Sequence, residues 1–255
     1  MTVSFEQVRS GAVRPERVVV GSGVLGRPDP RVARVVAEAL GGALTVLNVI
    51  TGPGARCGAV AAGPRTAPAA PRAAVGPMPA VDAVVGELPF VDGAFDAAMA
   101  ILNVHRWTDL AVGLREMRRV TRGPAVILTH DPLLVREFWL HAYAPEVLDA
   151  EAVRYPPVAD LVSLLGGRVS VRPVPVPLDC TDDFNEAYYG RPERLLDPAA
   201  RQAGSAWDLV GDAVRDRFDR ALRHDLASSA WDARLGHLRR QASHEGALVL
   251  VRATP

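Results

Sequence analysis

The sequence predicts an α/β fold, a doubly wound and mostly parallel sheet with helices on both faces, and three observations predict it. Short continuous apolar runs, ALTVLNVI at 43–50 and AVILTH at 125–130, have the length and composition of strands covered on both sides. Segments with helical apolar spacing stand between such runs, so strand and helix alternate through short connections, the pattern of right-handed β-α-β units. The first run passes straight into a glycine turn, TGPGARCG, as many nucleotide-binding domains begin.

Residues 1–28 carry few signals. PDPRVARVVAEALGG then reads as a helix: Asp29 caps it, Pro30 suits its first position and Gly41-Gly42 ends it. Val32, Val35, Val36 and Leu40 form its apolar stripe. After the first strand, residues 58–80 hold 17 Ala, Gly or Pro in 23 positions, with five prolines that rule out a long helix. A doubly wound fold draws its second strand and helix from this stretch, so that layer reads as eroded. AVDAVV is expected as a strand, GELPFVDGAF as a turn and DAAMAILNV as a buried strand ending at Asn103 and Val104. Thr108 is expected to cap DLAVGLREMRRV, whose Leu110, Leu114, Met117 and Val120 share one face, and Gly123-Pro124 stops that helix before AVILTH. Further on, helices are expected near 132–142, 157–165, 206–228 and 231–240, and the last strands near 168–174 and 246–252. PLDCTDDFNEAYYGRPERLLDP between them is polar, aromatic and turn-rich, and reads as a loop or small lobe over a pocket. The organisation expected is one domain over 1–255, with a core at 29–130, a C-terminal half at 131–255 completing the sheet, and a lid or cap around 179–205.

Composition narrows the function. Twenty-nine acids balance 29 bases, all of them Arg, so nothing marks a nucleic-acid or anionic-membrane surface, and Lys is absent as base or Schiff-base former. Cys57 and Cys180 lie far apart without CxxC spacing, which argues against a disulfide and against a metal site. No apolar run reaches membrane-spanning length and no leader precedes the fold, so a cytoplasmic protein acting on a small molecule, carrier-bound or free, is expected. A protein partner subunit is a further expectation; no nucleic acid and no membrane is expected.

The order of the glycine turn, ELPFVDGAFDAAMA, NVHRWTDLAVGLREMRRVTRGPAVILTHDP, FNEAYYGRPE and SAWDARLGHLR resembles the class I S-adenosylmethionine-dependent methyltransferases, in their small-molecule branch. The resemblance runs from about Arg27 to the C-terminus. It implies a Rossmann-like seven-stranded sheet with a C-terminal cap segment, and a cofactor site at Gly52, Gly54 and Arg27. The sequence departs from the family's pattern where the nucleoside would sit. Ile50 stands where the turn's first glycine is expected, and a β-branched residue resists the positive φ and close approach that glycine allows. No Asp or Glu occurs between Glu38 and Asp82, so no carboxylate follows the second strand, near Gly63, to accept from the ribose hydroxyls. Val84 stands where an acid or amide meets the adenine, and no aromatic residue lies between Phe5 and Phe90. The cofactor site is therefore degenerate, and the expectation is no cofactor, with S-adenosylmethionine if the family's activity survives.

The candidate chemistry follows the later strands, at the carboxyl edge where open α/β sheets keep their ligands. Asn103, His105 and Tyr188 are the candidate catalytic residues, with His105 as a base near neutral pH. Trp107, His130, Asn185, Glu186, Tyr189 and Arg191 are the candidate substrate-binding residues. Asp131-Pro132 reads as a helix start. Three functions stay open: a small-molecule tailoring enzyme performing intramolecular displacement and ring closure, for example of aziridine type, or elimination; a genuine methyltransferase; and a non-catalytic partner subunit of a biosynthetic enzyme.

Overall fold

The structure, a computed structural model, describes residues 18–19, 29–51, 58–61, 83–202 and 206–255. Arg27, Gly52, Gly54, Cys57 and most of the 58–80 stretch lie outside them. A mixed sheet of six strands organises the described chain: β1 Thr45–Asn48, β2 Gly58–Ala61, β3 Ala97–Ile101, β4 Ala125–His130, β5 Arg168–Pro173 and β6 Leu248–Thr254, in the order β2-β1-β3-β4-β6-β5. β1, β3 and β4 are parallel neighbours, and β6 runs antiparallel between β4 and β5.

Six strands of the sheet lie among the described residues; the expected strand AVDAVV falls partly outside them, and its described end makes an isolated bridge, Val84 to Glu87, in a tight turn. One expectation changes here: β2 runs antiparallel to β1. The reason is chain length: nine residues separate Asn48 from Gly58, whereas a parallel crossover needs a dozen or more, so the chain can only double back.

Helix α1, Pro30–Leu40, starts at Asp29, which accepts from the Arg31 backbone N–H at 2.9 Å, and stops at Gly41 with φ +66°. Helix α2, Leu110–Arg119, is capped by Asp109, not Thr108: Asp109 is the extended residue, and its carboxylate accepts from Val112 N–H at 2.9 Å. Asp131 caps the short α3, Pro132–Val135, after which the chain makes a 3-10 turn at Trp139–Ala142 where one continuous helix was expected. Helix α4, Pro145–Arg154, was not anticipated; α5, Val158–Leu165, was. The expected 206–228 helix begins late, as α6 at Asp212–Ala227 behind a 3-10 turn at Trp207–Leu209, and α7 spans Ala230–Leu235.

The core has two layers, one on each side of the sheet. All six residues of β4 are buried, and their side chains alternate: Val126 and Leu128 pack toward α1 and α4, while Ala125 and Ile127 pack toward α2 and α5. The segment read as a loop over a pocket is part of the first layer. Phe184–Gly190 are buried throughout, because the aromatic residues that suggested a lid are anchored inward by Trp139, whose Nε1 donates to the Tyr189 carbonyl at 2.9 Å. Among the described residues no helix is long and apolar enough to cross a membrane.

Candidate functional site

Asn103, His105 and His130 follow the carboxyl ends of β3 and β4, on the edge of the sheet where β1 also ends. β3 terminates at Leu102, a left-handed residue with φ +50° that turns the chain sharply. The turn brings Asn103 Nδ2 to 2.7 Å from the Val49 carbonyl, which ties the ends of β1 and β3 together inside the protein. Among the described residues the Asn103 Oδ1 is left buried with no hydrogen-bond partner, as is Oδ1 of Asn48 at the end of β1.

His105 sits in the 3-10 turn Val104–Arg106, and His130 ends β4. Tyr155 wedges between them, its ring 4.9 Å from His105 and 5.0 Å from His130. Burial, aided by the nearby Arg154 and Arg106 charges, pushes His105 down to about 3, and burial pushes His130 down to about 4. Both imidazoles are therefore neutral at pH 7, and each holds a buried Nδ1 without a partner among the described residues. His105, the expected base, thus lies largely buried beside Tyr155, with burial holding its imidazole neutral at pH 7.

The cap adds acids to this edge. Asn185 Nδ2 donates to Glu151 of α4 at 2.7 Å, while Asn185 Oδ1 accepts from Trp207 Nε1 at 2.9 Å. Tyr155 reaches the other Glu151 oxygen at 3.4 Å. Both oxygens of Glu186 accept from the Ala247 N–H, at 2.9 and 3.0 Å, just before β6 pairs Leu248 with His130. Burial raises Glu151, and burial with the neighbouring Glu151 charge pushes Glu186 up to about 7. His130, Glu151, Asn185 and Glu186 line one small cavity of about 10 Å³, with Val135, Phe138 and Leu148 as its apolar walls.

The structure thus gathers three of the candidate binding residues, His130, Asn185 and Glu186, and places His105 beside them through Tyr155. The others are engaged elsewhere. The Tyr188 hydroxyl donates to Asp183 at 3.0 Å, and its ring lies under Arg191 and Arg194. Tyr189 donates to the Gln241 carbonyl at 2.6 Å and stacks on His244. Arg191 donates to the carbonyls of Cys180 and Ala187. Trp107 packs on α2, where a Cβ on Gly113 would lie 2.6 Å from its ring. Glu151 and Tyr155 escaped the sequence reading because α4 itself did; the Pro145 that opens it, at the first helical position, is the signal that could have found both.

Arg27, Gly52 and Gly54, the residues the resemblance assigns to the cofactor, lie outside the described residues. Gly58 stands opposite Asn48 and Ala61 opposite Thr45, so the carboxyl end of β2 lies at the edge of the sheet away from Asn48. The sequence carries no Asp or Glu between Glu38 and Asp82.

Residues 42–128 match the family model described as methyltransferase domain. A putative methyltransferase from an antibiotic biosynthesis pathway of Anabaena variabilis ATCC 29413 is similar with a TM-score of 0.63 at 26% identity, over 68% of this chain and 72% of that one. The chain has a class I S-adenosylmethionine-dependent methyltransferase fold. Weaker likenesses to this methyltransferase fold include a putative methyltransferase from Bacillus halodurans C-125, with a TM-score of 0.37 at 12% identity over 68% and 70% of the two chains. Another is the [4+2]-cyclase SpnF, with a TM-score of 0.34 at 19% identity over 68% and 54%. No curated protein matches.

Proposed function

We propose that this chain is a methyltransferase-fold protein of small-molecule biosynthesis that works within a single substrate, by an intramolecular displacement that closes a small ring or by elimination, and does not take a methyl group from S-adenosylmethionine. The observation that carries the reading is the direction of β2, which turns the second strand's end away from the site in a stretch without any acid. A charged hydrogen bond contributes about 1.5–3 kcal/mol, so loss of the ribose carboxylate alone weakens the nucleoside by about one to two orders of magnitude. The antibiotic pathway of the Anabaena relative supports the substrate class.

The reaction needs proximity and one proton acceptor. A substrate N–H or O–H gives its proton to the Glu186 carboxylate, whose raised pKa of about 7 suits it to that exchange. The freed lone pair forms a bond to a neighbouring carbon of the same molecule, and the bond from that carbon to the leaving group breaks with its electron pair going to the leaving group. His105 and Asn103, each with an unpartnered buried polar atom, hold polar groups of the substrate in line.

Calorimetry with S-adenosylmethionine and S-adenosylhomocysteine tests the reading. No heat of binding at micromolar protein is expected; micromolar affinity would return the chain to methyl transfer. Turnover of a candidate substrate should fall with Glu186→Gln and His105→Ala and persist without added S-adenosylmethionine.

A further inference from the structure

Glu186, the acceptor in the proposed reaction, is 5% exposed, and both of its oxygens accept from the Ala247 N–H. The cavity it shares with His130, Glu151 and Asn185, about 10 Å³, has room for one water at most, so no part of a substrate enters it. A proton from the substrate must therefore be carried to Glu186 by another group.

Tyr155 stands where such a carrier is needed. It follows the last residue of α4 and is half-buried, with its ring packed against His105 and His130 at the ends of β3 and β4. Its hydroxyl lies 3.4 Å from Glu151 Oε1, a long bond of the kind catalytic groups show before substrate tightens them. The other Glu151 oxygen accepts from the Asn185 amide, and Glu151 is close enough for its charge to raise Glu186. Burial and the charges of the two acids keep the Tyr155 phenol protonated at neutral pH, so it passes a proton on but is no base by itself. The Arg154 charge favours the anion on Glu151, which leaves Glu186 as the better resting place for a proton.

We propose that Tyr155 is a catalytic residue that touches the substrate and relays its proton through Glu151 to Glu186. The substrate N–H or O–H bond breaks as its proton passes to the Tyr155 oxygen, and the Tyr155 O–H bond breaks as its own proton passes to the Glu151 carboxylate. The electron pair of the broken substrate bond stays on the substrate atom, as the lone pair that closes the ring. The proton then moves from Glu151 to Glu186, directly or through the one water the cavity admits. Tyr155 is neutral before and after, and the acid pair gains one proton. The assignment rests on the reaction proposed above and deepens it by naming the group that takes the proton first.

Proton exchange with heavy water tests the relay on the full chain without substrate. Below pH 7 Glu186 holds its proton. The infrared carbonyl stretch of that buried acid, identified by its loss in Glu186→Gln, shifts when deuterium replaces the proton, and rapid mixing gives the rate. Tyr155→Phe, which removes only the hydroxyl, and Glu151→Gln, which keeps an oxygen for the Asn185 amide, should each slow the exchange by about tenfold or more. Damaged packing acts in the opposite direction, since a loosened interior exchanges faster. Melting curves check that the variants fold. In either variant that melts like the unaltered protein, an unchanged or faster rate overturns the proposal. Calorimetry with S-adenosylmethionine on the same preparation reports separately on the reading of the reaction, so the two fail independently.

Discussion

Glu186 fills the space a side chain at position 246 would need: a Cβ on Gly246 would lie 2.5 Å from Glu186 Oε1 and 2.8 Å from its Cδ. The carboxylate can reach the Ala247 N–H only because residue 246 is glycine. Gly246→Ala should force the cap off the start of β6 and cost about 1–3 kcal/mol, as overpacking of a filled interior does. Urea denaturation measures it; a change within about 0.5 kcal/mol, the range of ordinary surface substitutions, would show that the cap does not depend on this contact.

The buried acids and imidazoles give stability opposite dependences on pH. Glu186, at about 7 in the folded chain against 4.5 ordinarily, binds more protons folded than unfolded between those values, so its contribution falls as pH rises through that window. His105 and His130, near 3 and 4 against 6.5, bind fewer, so theirs rises with pH up to 6.5. The difference between Glu186→Gln and the unaltered protein isolates the first effect. The variant should gain relative stability by about 1.4 kcal/mol per pH unit across the Glu186 window and level off above it. Denaturant midpoints at several pH values decide; a difference independent of pH would mean that the Glu186 carboxyl titrates normally.

Asp29 is fully buried, caps α1, pairs with Arg31, and accepts from the Thr181 N–H at 3.2 Å. The Arg31 guanidinium and these N–H groups hold its carboxyl far below the usual range. Its stabilisation is present above the ordinary carboxylate pKa and is lost in strong acid. Asp29→Ala removes a helix cap and leaves the Thr181 N–H without that acceptor, so a loss of about 2 kcal/mol is expected by equilibrium unfolding. A loss below about 0.5 kcal/mol would mean that water replaces the carboxylate at no cost.

Asn103→Ala should destabilise by about 1–3 kcal/mol, because the Val49 carbonyl loses its buried donor. Asn103→Asp cannot donate when ionised and should be at least as costly. If Asp is tolerated as well as Asn, the bond between the ends of β1 and β3 is not what holds that edge.

The fold was largely legible because its signals are local. Pro30 and Asp29, the stripe of α2, and the apolar runs of β4 and β6 each act within a turn or a strand of their own position. α4 was missed because its helical stripe is weak: Glu151, an acid, is among the buried residues where the pattern leads one to expect an apolar side chain. Thr108 and Asp109 differ as caps only by which of them is extended, a property of the preceding turn rather than of either side chain.

The site divides the same way. By itself the sequence determined the strand ends that carry Asn103, His105 and His130, and the absence of any acid between Glu38 and Asp82, since both follow from residue identity and order. Only the tertiary structure decided that β2 turns back along β1, that Tyr188 spends its hydroxyl on Asp183, and that Glu151 meets Glu186 beside His130. Those are contacts between residues distant along the chain, fixed by how the cap packs on the sheet. Burial at that contact, more than residue type, sets which of these groups carries charge at neutral pH.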